Sequence, residues 1–287
     1  MSMYEYKIKL LSPTLCHGAA PRESAELRVP SIRGHLRKWH TILWGKADTH
    51  SCWGCVSENE ENQSNKKAIA SKEEAIASKV VLRITDAEEI KSGSFCMLPH
   101  KKGCKNGQTK GLSANQKFTL CVSFRHLPEN PAEAEKLKEQ VNKTIQIWLL
   151  LGTLGQRSTR AFGSVWNNEK KYNSVEEFAA ETNLLIQGKY AVQILKPRKS
   201  TSPQDMLKYC TDTLNGYPHI FGAIGPRQVS PLKMKFIEVG NQTLLVLHAL
   251  KHNTIDEALR VLKNHVKDEK PDPKPLATEF DVIKKIG

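Results

Sequence analysis

No apolar run in the 287 residues comes near the length of about 20 that a bilayer-spanning helix needs; the run at Trp148–Leu151 is far too short. The opening "MSMYEYKIKL" has no apolar stretch of the signal-peptide kind. Seven cysteines, an odd number at uneven spacing, do not form a secreted disulfide framework, so a reducing cytoplasm is the expected setting. No membrane partner is expected. Acids are missing from long stretches: none occurs in Arg28–Lys46, in 97–128 or in Asn142–Asn168. They collect instead at Glu58–Glu61, Glu73–Glu89 and Asp268–Asp281. With a net charge of +13 and a pI near 9.4, this segregation points to a basic face and a polyanionic partner, nucleic acid ahead of a membrane surface. A hydrophobic content of 39% is enough for a real core and excludes global disorder.

Residues 4–11 alternate as a half-buried strand does. Ile32, Leu36, Trp39 and Leu43 make one helical stripe, entered at Pro30-Ser31 and left at Gly45. Residues 79–85 and 117–125 read as strands. Asn130-Pro131 opens a long helix whose buried face is Leu137, Val141, Ile145, Trp148 and Leu151, stopped by Gly152. Residues 162–166 form a short last strand. The same order then repeats: strand 189–196, a helix capped from Ser202, a hairpin around "GNQ", a helix opened by Thr254–Glu257, and a strand at 279–285. This predicts an α+β protein of two tandem ferredoxin-like (βαββαβ) domains, residues 1–172 and 186–287. Residues about 46–78 read as an insertion, with "AIASK" occurring twice, and the Lys/Gly-rich 99–116 as a loop or thumb.

Chemistry concentrates in "GTLGQRSTRAFGSVW", 152–166. Gly152, Gly155 and Gly163 would leave main-chain N–H groups free for an anion, and Arg157, Arg160 and Ser164 add charge and donors, with no acid nearby. No Gly-Lys-Ser/Thr follows, so this is not a nucleotide-triphosphate loop. Opposite the apolar stripe of the first helix, Arg33, Arg37, His40 and Trp44 recur at i, i+4, i+7 and i+11, a ridge suited to phosphates and a stacked base. "GYPHIFGAIGPRQVSPLKMK" offers Arg227 with three glycines as a second, weaker backbone-contact loop. Cys52-x-x-Cys55 has metal-knuckle spacing, and Cys96 and Cys104 complete a possible structural zinc set; the alternative is free reduced thiols. No compact nucleophile motif or carboxylate pair marks a catalytic site. His17, His35 and His40 are the only candidates for acid–base cleavage of RNA.

"LLSPTLCHGAAPRESAELRVPSIRGHLRKWHTILWG" followed by "LGTLGQRSTRAFGSV" resembles the RAMP proteins of CRISPR–Cas systems, and among them the first subunit of the type III-B Cmr effector complex. The weaker "GPRQVSPLKMK" resembles that family's second-domain Arg-x-x-Ser-Pro-Leu segment. The resemblance implies two ferredoxin-like domains and a non-catalytic subunit of an antiviral ribonucleoprotein, binding guide RNA or its duplex with target RNA beside other RAMP subunits. Arg157, Arg160, Gly163, Ser164, Pro30, Ser31, Arg33, Gly34 and Arg37 carry over. Thr153 and Ala161 stand where the family commonly has glycine. The rival readings are a metal-independent endoribonuclease that processes precursor guide RNA, as some relatives do, and a protein–protein scaffold.

Overall fold

Alternation of Tyr4, Tyr6, Ile8 and Leu10 makes the first strand, β1 (Met3–Leu10), the middle of a four-stranded antiparallel sheet. The computed structural model describes residues 3–18, 20, 23–56, 75–87, 91–99, 108–211, 217–223, 228–265 and 276–286. α1 (Val29–Trp44) follows, with Pro30 in its first turn, where the missing N–H costs nothing, and Ile32, Leu36, Trp39 and Leu43 buried. β2 (Val80–Thr85) and β5 (Lys117–Phe124) pair with each other, and β5 pairs with β1 from Met3↔Ser123 to Lys9↔Lys117. α3 (Pro131–Leu151) starts where the Asn130 side chain accepts from the Ala132 N–H. It buries the expected Leu137, Val141, Ile145, Trp148 and Leu151. β6 (Val165–Asn167) closes the sheet on the far side of β1, giving the order β2-β5-β1-β6.

The second sheet repeats the scheme. β7 (Ala191–Pro197), β8 (Lys233–Val239), β9 (Gln242–Ala249) and β10 (Phe280–Ile286) stand in the order β10-β7-β9-β8, every pair antiparallel. Val239 pairs with Gln242, so Gly240-Asn241 is a two-residue hairpin loop. α5 (Pro203–Thr211) begins after Ser202, whose hydroxyl accepts from the Asp205 N–H at 3.1 Å. α7 (His252–His265) buries Ile255, Ala258, Val261 and Leu262 and starts two residues before Thr254, which lies buried inside it. The protein is thus a mixed α+β fold built on antiparallel sheets.

Three stretches differ from the sequence expectation. The start of the 46–78 insertion is a helix, α2 (Lys46–Trp53), anchored by buried Cys52 and Trp53; residues 57–74 lie outside those described. Part of the 99–116 loop is a strand, β4 (Gln108–Leu112), paired with β3 (Ser92–Cys96). The 172–188 joint contains α4 (Val175–Ile186), where the Ser174 hydroxyl accepts from the Glu177 N–H and Glu177 accepts from the Asn173 N–H.

β8 is an edge strand, and an edge strand needs partners for its outward main chain. The 152–166 loop supplies them. The Ala161 N–H donates to the Met234 carbonyl at 3.2 Å, and the Phe236 N–H donates to the Ser164 hydroxyl at 2.9 Å. The Gly240 N–H donates to the Tyr172 carbonyl, and Lys9 pairs with Glu238 at 2.7 Å. Both sheets therefore share one hydrogen-bonded joint.

Candidate nucleic-acid interface

The main-chain N–H groups of Gly152 and Gly163 are already used inside the fold, as are those of the residues on both sides of Gly155. Gly152 N–H donates to Trp148, Leu154 N–H to Gly163, Gly163 N–H to Pro13 and Gln156 N–H to Leu15. A Cβ on Gly155 (φ +83°) would stand 2.6 Å from the Leu15 carbonyl oxygen; one on Gly163 (φ +63°) would overlap that of Leu154. Gly155 and Gly163 admit the protein's own backbone, and for Gly152 and Gly163 this corrects the sequence expectation of free donors. Gly152 has an ordinary φ of −91°, but a Cβ there would strike the Trp148 ring. Ser164 is equally committed: its hydroxyl donates to the Ala161 carbonyl and its N–H to Ser12.

Arg160 is buried, 5% exposed, and its guanidinium donates to the Phe221 carbonyl at 2.6 Å and to the Ser230 hydroxyl at 3.1 Å. It lies over the Phe221 ring, and burial pulls its pKa down to about 10. It fastens the loop to α6 (Pro218–Phe221) and the start of β8, so its sequence-assigned role as an exposed phosphate contact is corrected. Arg157 differs. It sits at φ +56°, half-buried, and among the described residues its guanidinium has no hydrogen-bond or ionic partner. Its burial lowers the pKa. A long side chain held in the left-handed region without a partner of its own is a strained, available cation.

The helix ridge is only partly as expected. His40 is fully buried, with Nδ1 2.9 Å from Thr49 Oγ1, and burial drives its pKa to about 4. The Trp44 indole N–H donates to Thr144 inside the fold, and the Lys189 ammonium lies over its ring. His40 is therefore out of reach of a ligand, while Trp44 stays half-buried. Arg33 donates to Ser78 Oγ and to the Val80 carbonyl, and Arg37 to the Trp53 and Gly54 carbonyls. They lie toward α2 and β2, whereas the α1 side chain that approaches β8 is Lys38, exposed and one position further round the helix.

Lys38 comes within hydrogen-bonding reach of Lys233 on β8, whose ammonium donates to the Ser230 carbonyl. Burial, then Lys38 and Arg160, bring the Lys233 pKa down to about 7. Behind it Lys235 is fully buried, donates to the Leu149 carbonyl and lies over the Trp166 ring; burial holds its pKa well below the usual lysine value. His248 on β9 stacks on Trp39, and burial with Lys233 and Lys235 depresses its pKa to about 3. Among the described residues no carboxylate acts on Lys233 or His248. Among the described residues a run of cations thus leads from Lys38 on α1 to Lys233 on β8 and on through Arg160 to Arg157 in the loop. The sequence reading missed Lys38 and Lys233, although Lys38 lies in the acid-free 28–46 stretch and Lys233 in the quoted "PLKMK".

Of the proposed metal set, Cys52, Cys55 and Cys96 lie among the described residues. Among the described residues no three His, Cys, Asp or Glu side chains gather around a metal position. Cys52 is buried, its thiol pushed up to about 12 by burial; Cys55 lies on a bridge to Ile76; and Cys96 is disulfide-bonded, so it has no free thiolate to give. Cys104 and Arg227 lie outside the described residues.

A family model, the RAMP superfamily, matches residues 7–166, more than half of the chain. The chain belongs to the RAMP superfamily. Its RAMP segment runs from β1 through the glycine loop, so the joint closes against the end of the family region. Among solved structures, the apo crystal structure of Cmr1 from Pyrococcus furiosus is similar with a TM-score of 0.55 at 17% identity, over 87% of this chain and 88% of that one. A chain of a type III-B Cmr-beta complex, solved bound to cognate target RNA and AMPPnP in the presence of ssDNA, is similar with a TM-score of 0.50 at 11% identity, over 85% and 93%. At these identities the likeness is one of fold. No curated protein matches the chain in sequence. Among the described residues no helix is long and apolar enough to cross a membrane.

Proposed function

We propose that this chain is an RNA-binding subunit of a type III CRISPR effector ribonucleoprotein, contacting guide RNA or its duplex with target RNA beside other RAMP subunits. Each sheet with its two principal helices is read as one ferredoxin-like domain, residues 1–172 and 186–287; the antiparallel orders β2-β5-β1-β6 and β10-β7-β9-β8 support this. The observation that carries the function is the run of cations at the joint: Lys38 and Arg160 both act on Lys233, Arg157 acts on Arg160, and among the described residues no carboxylate is among the charges acting on Lys233. A phosphodiester backbone supplies the missing negative charge whatever its sequence. The solved likenesses include a complex bound to cognate target RNA, which agrees with this reading.

The reading assigns no reaction to the chain. In support, burial holds the His35 and His40 pKa values at about 4, and His17 Nε2 is taken up by the Lys110 carbonyl and Thr109. Neither His35 nor His40 is poised near neutrality, and the His17 Nε2 is already engaged.

Titrating guide RNA into the purified protein at several salt concentrations tests the proposal. Lys38→Ala with Arg157→Ala should weaken binding and cut the slope of log K against log salt by about 0.7 per cation removed. Unchanged affinity and slope would overturn it.

A further inference from the structure

The flank of α1 away from the joint carries a second group of cations. Arg33 reaches Ser78 Oγ at 2.8 Å and the Val80 carbonyl, and Arg37 reaches the Gly54 carbonyl at 2.6 Å. Lys79 donates to the Ser51 carbonyl at 2.6 Å and Arg125, exposed just after β5, to the Ser78 carbonyl at 2.9 Å. Three of the acceptors, Ser51, Trp53 and Gly54, lie at the C-terminal end of α2, where helix carbonyls favour positive charge. That explains why cations come here, but not why so many do. Arg33 is lowered in pKa first by burial and then by the repulsion of Arg125 and Arg37, and among the described residues no carboxylate pairs with any of the four. Among the described residues donors are also left over: Arg37 uses only Nη1, and Arg125 only Nε. A guanidinium with a spare edge, beside like charges and near solvent, is arranged for a phosphate oxygen.

We propose that Arg33, Arg37, Lys79 and Arg125 form a second phosphate-binding surface, on the α2–β2 flank of α1, that takes the backbone of single-stranded RNA continuing from the joint. This rests on the RNA-binding reading above and extends it from one contact point to a path across the helix. Lys79 and Arg125 are the residues to change, because among the described residues their side chains hydrogen-bond only Ser51 or Ser78, and their main-chain bonds to Cys52 and Lys79 do not depend on the side chain. In the full-length protein, Lys79→Ala with Arg125→Ala should reduce the salt slope for an RNA of about sixteen nucleotides by about 0.7 per cation. The slope for an RNA of about four, near the lower limit of single-strand site sizes, should fall by less, because that RNA cannot occupy both surfaces. Arg125→Lys should keep the slope, and Arg125→Gln, which retains a donor for the Ser78 carbonyl, should lose it even if the alanine variants fold poorly. An unchanged slope with Arg125→Gln, while the Lys38 and Arg157 variants still lower it, would overturn the second surface and leave the joint standing. If neither set changes the slope, the RNA-binding reading itself fails.

Discussion

The Phe236 N–H donates to the Ser164 hydroxyl at 2.9 Å, tying the edge strand of one sheet to the last turn of the other sheet's glycine loop. That same hydroxyl donates to the Ala161 carbonyl, while the Ala161 N–H reaches Met234. Replacing Ser164 by Ala should leave a buried main-chain N–H unpaired and cost about 1–3 kcal/mol, read as a lower denaturation midpoint. A neutral result would show that the two sheets do not depend on this bond.

Gly163→Ala should be worse. The added Cβ would overlap the Leu154 carbonyl, in a backbone region that L side chains avoid. A loss of at least about 2 kcal/mol is expected, seen as a lower melting temperature and a smaller folded yield. Unaltered stability would mean that the loop relaxes freely, contrary to its packing against Leu154 and Pro13.

Arg160 and Arg157 separate in the same assay. Arg160→Ala takes the charged donor from the Phe221 carbonyl and the Ser230 hydroxyl and should destabilise the fold by about 2–3 kcal/mol. Arg157→Ala should leave the melting temperature nearly unchanged while weakening RNA binding. The reverse ranking would exchange the roles assigned to them.

Two pH dependences follow. His248, His35 and His40 have folded pKa values of about 3 to 4, below the usual 6.5, because burial disfavours the imidazolium. Between those values and 6.5 the unfolded chain binds more protons, so stability rises with pH across that window and falls on acidification. Each group contributes at most about 1.4 kcal/mol per pH unit there. His248→Phe should flatten the acid limb in a pH series of denaturation curves. Lys233, with a pKa of about 7, has the same sign one window higher: the folded protein gains stability from about pH 7 toward the ordinary lysine value. A phosphate beside Lys233 favours the ammonium, so RNA affinity should decline as pH rises through 7, and Lys233→Arg, permanently charged, should remove that decline.

The strands and long helices were legible because their signals are local. Ile32, Leu36, Trp39 and Leu43 could only form one buried stripe, and Asn130-Pro131 opens α3 as its chemistry dictates. α4 was legible too, since Ser174 and Glu177 make a capping box ahead of Phe178, Thr182 and Ile186, but the segment read as a linker between repeats. The site was less so. Arg160 and Arg157 look alike in sequence, and only Phe221 and Ser230, some 60 to 70 residues on, decide that one is buried. Periodicity placed Arg33 and Arg37 opposite the core, yet could not show that α2 would cover that flank or that Lys38 would face β8. Lys235, fully buried on a strand, contradicts the usual exposure of lysine and was invisible to pattern.

Crosslinking guide or target RNA to the protein, followed by mass spectrometry of the crosslinked peptides, tests the central claim most directly. Crosslinks are expected at α1 around Lys38, at the loop around Arg157 and at β8 around Lys233, and should disappear together in high salt. Crosslinks confined to α7 and β10, with none on these three segments, would contradict it.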